Sequence, residues 1–129
     1  MTRMALLPPR FRARLDRLGV GLSALCMVHC VAGLVFVSVL GIGGTVLLNP
    51  RIHEIGLMLA IGIGGLGLGA GVMRHRRADI LIAGVAGLSL MALGLMVPDG
   101  PIEAGITILG VCLLALAHLR NMGLHRHSH

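Results

Sequence analysis

The segment LCMVHC, residues 25–30, brings together three side chains that can bind a metal ion: Cys26, His29 and Cys30. On an α-helix, at about 100° per residue, Cys30 lies about 40° and His29 about 60° from Cys26, so the three share one face. Thiolates and imidazoles suit soft and borderline cations. Polar groups within an apolar run need either a hydrogen-bond partner or a coordinated cation. The segment predicts a metal site, with a packing histidine and thiol redox chemistry as the alternatives.

Further metal-capable residues occur later in the chain. Cys112 precedes Arg120 by eight residues, about 12 Å along a helix. Cys26 follows Arg17 by nine residues, about 13 Å. The thiols of Cys26 and Cys112 are therefore predicted to lie at the same depth in the membrane. The other candidates are histidines: His118, and His125, His127 and His129 of the C-terminal HRHSH. A short His-rich tail suits Zn²⁺, Cu²⁺ or Ni²⁺. The sequence leaves open whether Cys112 and these histidines take part, since a lone thiol also packs as a small hydrophobe.

Composition identifies a membrane protein. Of 129 residues, 56% are hydrophobic and only 12% are charged, and the mean hydropathy is +0.93. The net charge of +6 comes from arginines at the edges of apolar runs, where membrane topology accounts for them, so no nucleic-acid partner is expected. Three cysteines at membrane depth are expected to be free thiols.

Four apolar stretches of about 20 residues each predict membrane-spanning helices at roughly 18–40, 55–73, 80–97 and 102–119. Short polar connectors make consecutive helices antiparallel neighbours, so the fold class is an all-α, four-helix transmembrane bundle. Glycines from Gly41 onward are expected to cap or bend the end of the first helix. Residues 1–17 form a basic N-terminus, 18–119 the transmembrane domain and 120–129 a His-rich tail.

Arginine placement predicts the orientation. Basic residues precede the first span, join the second to the third and follow the fourth, whereas Arg51 alone falls on the other side with Glu54, Asp99 and Glu103. By the positive-inside rule, both termini are cytoplasmic. His53 beside Glu54, on the outer side, is either a capture point for cations or part of a helix cap. The first run is too long for a cleaved signal sequence, and it lacks a good lipidation motif before Cys26.

Glycines in the second span are predicted to pack helices closely. GIGGLGLGAG contains a literal G-x-G-x-x-G, but without a preceding strand it is no dinucleotide site. Gly65 and Gly69, like Gly67 and Gly71, are four residues apart, a spacing that lets membrane helices approach each other. Gly19 and Ser23, with Asp16 at the end, form a small polar stripe in the first helix on the face of Cys26 and Cys30.

The LCMVHC motif in a first helix with Gly19 and Ser23, and AHLRNMGLHRH after the fourth, resemble the MerC-domain family of mercury-transport membrane proteins. The resemblance implies uptake of Hg²⁺ across the cytoplasmic membrane, with a cysteine pair in the first helix taking the ion and C-terminal cysteines passing it inward. Cys26 and Cys30 match the pair in location but not in its Cys-x-x-Cys spacing. Histidines replace the C-terminal cysteines, and a mixed Cys/His set suits Zn²⁺.

We therefore predict a multi-pass protein of a bacterial-type cytoplasmic (inner) membrane that binds and transports a heavy or transition metal ion, Hg²⁺ or Zn²⁺. The predicted partners are the lipid bilayer, the ion and a possible second copy of the chain; no organic cofactor and no enzymatic activity are expected. Two alternatives stay open: a membrane thiol oxidoreductase, and a structural or regulatory subunit that transports nothing. The i, i+4 spacing of Cys26 and Cys30 on a regular helix disfavours a disulfide and therefore the first alternative.

Overall fold

The chain forms four α-helices in a computed structural model that describes residues 8–41 and 49–126. The helices are α1 (Pro9–Leu40), α2 (Pro50–His75), α3 (Ala78–Gly94) and α4 (Pro101–Arg126). The part of the chain that the structure describes contains no strand. The predicted all-α, four-helix fold is confirmed.

Local sequence explains where the helices begin and end. Gly41 terminates α1 in the left-handed conformation, φ 60°, and its N–H donates to the Val37 carbonyl, as expected of a glycine cap. Asn49 caps α2 by accepting a hydrogen bond of 3.0 Å from the Arg51 N–H, with Pro50 in the first turn. Because α2 starts at Pro50, it includes residues 50–54 of the polar connector LNPRIHE, and His53 belongs to its first turn.

The helices pack so that α2 and α4 lie between α1 and α3. α4 contacts all three other helices, α2 does the same, and in the described structure α1 and α3 do not contact each other. Short connections join consecutive helices, as predicted, so each is antiparallel to the next. The end of the bundle where α1 and α3 begin and α2 and α4 finish is called here the Arg-rich end.

Three of the helices can cross a membrane by length and composition: α1, α2 over Pro50–Arg74 and α4 over Pro101–Gly123. α3 is apolar but shorter, with 17 residues. Large apolar side chains cover the outside of the bundle; Met58 and Ile102, for example, are 75% and 72% exposed. Such a surface is expected to face lipid.

Glycines allow the closest helix contacts. A Cβ at Gly87 of α3 would lie 2.7 Å from the Gly110 carbonyl oxygen and 2.9 Å from the Leu114 nitrogen, both backbone atoms of α4. The predicted close packing at Gly67 and Gly71 of α2 is confirmed, because a Cβ at either position would meet side chains of α1 or α4. For Gly65 and Gly69 the prediction was wrong: a Cβ there would have no described neighbour within 4 Å.

Arginines at the Arg-rich end pair with Asp79 in the first turn of α3. The Arg77 Nε donates a hydrogen bond of 3.0 Å to Asp79 Oδ1, and Arg120 Nη1 of α4 lies 3.8 Å from Oδ2. The hydrogen bond from Arg77 lowers the pKa of the exposed Asp79 carboxyl. The contact ties the α2–α3 turn to the end of α4, although an exposed ion pair stabilises only weakly.

Candidate metal site

Cys30 is the most enclosed of the three thiols. Its residue is 3% exposed, whereas Cys26 is half-buried and Cys112 is exposed; all three are free. The Cys30 Sγ lies 3.6 Å from the Nε2 of His53, which the first turn of α2 places against the middle of α1. This contact joins the predicted thiol of α1 to a histidine that the sequence placed at the membrane surface.

The second ring nitrogen of His53 faces α4. His53 Nδ1 lies 3.7 Å from the Oε1 of Glu103, and both side chains are largely buried, with 12% and 4% exposed. The Thr107 hydroxyl, one turn further along α4, donates a hydrogen bond of 3.1 Å to the same carboxylate oxygen. Thiol, imidazole and carboxylate thus form a continuous row across α1, α2 and α4.

A cavity of about 290 Å³ opens between α1 and α2 beside this row. Its polar lining comes from Cys26, His29 and His53, and the remaining lining residues are aliphatic or glycine. The His29 and His53 rings meet edge to face with their centroids 5.6 Å apart. The Nε2 of His29 is buried, and no hydrogen-bond partner for it exists among the described residues. Thiol and imidazole donors therefore border one apolar cavity.

The three ligands predicted on α1, Cys26, His29 and Cys30, therefore all lie at or beside the α1–α2 interface. In the described ranges no group of three or more His, Cys, Asp or Glu residues is close enough to hold a metal ion as it stands. At the α1–α2 interface, Cys30 and His53 bring a thiol and an imidazole within 3.6 Å of each other. Ligation by any of these residues stays a prediction.

Cys112, a candidate on α4, does not reach this site. α1 and α4 are neighbours, but Cys112 is exposed on the outside of the bundle. The described structure ends at Arg126, so His127 and His129 lie outside the described residues, and the side chain of His125 is also outside what the structure describes. A role for these three histidines remains a prediction.

His118 belongs to a different cluster, near the Arg-rich end. Its Nδ1 lies 2.9 Å from Asp16 Oδ1, and both side chains have no exposed surface. The Asn121 amide donates to both Asp16 oxygens, at 3.1 and 2.9 Å, and more weakly to the Gly67 carbonyl at 3.3 Å. A Cβ at Gly19 would collide with the His118 ring, so glycine makes room for the imidazole. We call Asp16, His118 and Asn121 the inner polar cluster.

The inner polar cluster and the Cys30–His53 row are separate. Gly19, which contacts His118, precedes Cys30 by eleven residues, about 16 Å along α1. Asp16 was predicted only as the end of a polar stripe, and Asn121 was not singled out. Both residues lie just outside the predicted spans 18–40 and 102–119, so hydropathy did not indicate that they are buried. In the structure they belong to helices long enough to cross a membrane, where a carboxylate and an amide each need a buried partner.

Sequence reasoning also missed Glu103 as a residue of the site. It was assigned to the outer side together with Asp99, and nothing in PDGPIEAG shows that its side chain turns into the bundle. Its place in the first turn of α4 is favourable, since a carboxylate is stabilised near a helix N-terminus.

The fold defines the class of protein. A chain of four apolar helices, three of them long enough to span a bilayer, is a multi-pass membrane protein. Comparison with protein-family models identifies the family: residues 16–123 match MerC, described as MerC mercury resistance protein. Because the match covers most of the chain, the protein belongs to the MerC family. No match was found among curated proteins or among solved structures.

Proposed function

We propose that the protein binds Hg²⁺ at Cys26 and Cys30 within the membrane and carries it across the bilayer. The observation that supports this most strongly is the enclosure of the Cys30 thiol at the α1–α2 interface, where Cys26 lines the adjoining cavity. The choice of Hg²⁺ as the ion rests on membership of a mercury-resistance family. Both thiols are free, and thiolate is the ligand that soft cations prefer.

The arrangement favours ion binding over thiol redox chemistry. Cys26 and Cys30 lie one turn apart on a helix that runs without interruption from Pro9 to Leu40, so forming a disulfide between them requires the helix to unwind. In the proposal, Hg²⁺ displaces the two thiol protons and is held until it exchanges to other donors. By the positive-inside rule, the arginines at the Arg-rich end favour a cytoplasmic location for that end in a bacterial-type cell. Uptake directed inward is the direction that the family resemblance implies, and it is part of the proposal.

The test is equilibrium binding of Hg²⁺ to the full-length protein in lipid nanodiscs, followed by sulfur-to-mercury ultraviolet absorption and intact-mass spectrometry. Replacing both thiols, Cys26→Ser with Cys30→Ser, is expected to weaken binding by more than about 100-fold, because two direct ligands are lost and even an outer hydrogen-bond partner is worth roughly 10–100-fold. Each single variant is expected to retain a weaker, one-thiolate complex.

The matched control is Cys112→Ser, which removes an exposed thiol and should leave the affinity unchanged. Uptake of Hg²⁺ into proteoliposomes should follow the same order of variants. Tight Hg²⁺ binding in the double variant, or equal loss in the control, would contradict the proposed site.

A further inference from the structure

We infer that His53 is a metal ligand, completing with Cys30 a site that also accepts a tetrahedral divalent cation such as Zn²⁺, and that Glu103 and Thr107 position its ring. The inference deepens the proposed function, on which it rests for Cys30 as a ligand. It adds a donor from α2 and an orienting pair from α4, so that three helices contribute to the site.

The distance between the two donor atoms fits tetrahedral coordination. Zinc binds thiolate sulfur at about 2.3 Å and imidazole nitrogen at about 2.0–2.1 Å, and at a tetrahedral angle these bonds place sulfur and nitrogen about 3.6 Å apart. Cys30 Sγ and His53 Nε2 are 3.6 Å apart. The same bonds in a straight line would separate the donors by about 4.4 Å. The pair is therefore spaced for a four-coordinate ion rather than for a linear one.

The remaining contacts of His53 orient the ring for ligation. A metal-binding imidazole usually gives its other N–H to a carboxylate, which fixes the tautomer and raises the basicity of the ligating nitrogen. Glu103 Oε1 lies 3.7 Å from His53 Nδ1, on the side of the ring away from Cys30. Thr107 donates to the same oxygen and holds the carboxylate in place. With Nδ1 facing Glu103, the ring presents its Nε2 to the Cys30 sulfur.

His29 and Cys26 supply the additional donors. Both line the cavity next to His53, and the His29 Nε2 is a buried nitrogen for which the described structure offers no hydrogen-bond partner. Such an unsatisfied nitrogen is costly unless a ligand uses it. Since the described residues contain no ready-made group of three ligands, the ion itself draws one or both of these side chains toward the Cys30–His53 pair.

The experiment uses Co²⁺, a spectroscopic stand-in for Zn²⁺, titrated into the full-length protein in nanodiscs. Wild type is expected to show sulfur-to-cobalt charge transfer and the intense visible bands of a tetrahedral ion. His53→Gln should weaken Co²⁺ and Zn²⁺ binding by more than about 100-fold and abolish the tetrahedral bands, whereas Glu103→Gln should cost roughly 10–100-fold. Hg²⁺ affinity should change by less than about tenfold in both, because the two thiolates remain.

Two further variants keep the test decisive. Glu54→Gln alters the exposed neighbour of His53 and should bind like wild type. His53→Cys replaces the imidazole with another soft donor and should restore tetrahedral Co²⁺ binding with stronger sulfur-to-cobalt absorption, which a merely structural role for His53 would not produce. The helical circular dichroism of every variant is compared with that of wild type.

The possible failures are distinguishable. If His53→Gln binds Co²⁺ with the affinity and spectrum of wild type, or if wild type binds Hg²⁺ but neither Co²⁺ nor Zn²⁺, the inference about His53 is overturned and the cysteine site for Hg²⁺ stands. If wild type does not bind Hg²⁺ at all, the proposed function itself fails.

Discussion

Replacing Gly87 with valine is expected to lower the free energy of unfolding by about 3 kcal/mol or more, the upper part of the range for overpacking a filled interface. A Cβ at Gly87 would lie 2.7 Å from the Gly110 carbonyl oxygen, 2.9 Å from the Leu114 nitrogen and 3.2 Å from the Leu114 Cβ. Two of these atoms belong to the backbone, so no side-chain rotation relieves the clash. α3 must move away from α4, which it contacts more extensively than any other helix.

The contact is reciprocal, which provides an internal check. A Cβ at Gly110 would lie 2.8 Å from the Gly87 carbonyl oxygen and 3.0 Å from the Met91 nitrogen. Gly110→Val should therefore destabilise the protein as strongly as Gly87→Val, and Gly87→Ala by a smaller amount, about 1–3 kcal/mol. The measurement is reversible unfolding in mixed micelles, followed by circular dichroism and by loss of the monodisperse peak on gel filtration.

Gly105→Ala is the matched control for the α3–α4 contact. Gly105 lies on α4 as Gly110 does, but a Cβ there would meet no described atom within 4 Å. Alanine is the better helix former by about 0.5–1 kcal/mol, so this variant should be as stable as wild type or slightly more so. Equal destabilisation by Gly105→Ala and Gly87→Ala would show that glycine flexibility, and not close packing, matters in these helices.

Replacing Asp16 with alanine is the second large effect expected, a loss of about 3 kcal/mol of stability. Asp16 accepts hydrogen bonds from Asn121 and lies 2.9 Å from His118 Nδ1, and none of the three side chains reaches solvent. Removing the carboxylate leaves two buried nitrogen donors without this acceptor and creates a cavity where α1, α2 and α4 meet. Asp16→Asn keeps the volume and one acceptor oxygen, so its effect should be smaller.

An exposed carboxylate provides the comparison for Asp16. Asp99 lies in the turn between α3 and α4 and is exposed, so Asp99→Asn should leave the unfolding transition almost unchanged. A second comparison uses function: Asp16 precedes Cys30 by 14 residues, about 21 Å along α1, so folded Asp16→Asn protein should bind Hg²⁺ like wild type. If the unfolding transition of Asp16→Ala coincides with that of wild-type protein, the inner polar cluster does not hold the three helices together.

Regular features of the sequence predicted the fold well. Four apolar runs separated by Pro, Asn and charged residues indicate four helices, and α1 ends at the predicted boundary, Leu40, with Gly41 as its cap. These signals are local, because hydrophobic length and capping residues act through neighbours in the chain. Gly67 and Gly71 were also predicted correctly, since four-residue spacing of small residues favours close helix contacts.

Which faces of the helices contact each other was harder to predict than where the helices lie in the sequence. Gly65 and Gly69 have the same spacing as Gly67 and Gly71, but a Cβ at either position would meet no described atom within 4 Å. The pairing of Gly87 with Gly110 depends on how α3 and α4 are rotated about their axes. Almost every position in these spans is apolar or small, so periodicity hardly distinguishes the lipid face from the buried face.

The sequence by itself determined that this is a helical membrane protein with two thiols and an imidazole on one face of its first helix, because hydropathy and helical spacing depend only on the order of residues. Only the tertiary structure decided that Cys30 meets His53, that Glu103 turns inward behind it, and that His118 pairs with Asp16 instead of joining the cysteines. Those contacts join residues from 23 to 102 positions apart. Their distances are set by the rotation and offset of packed helices, which local sequence patterns do not specify.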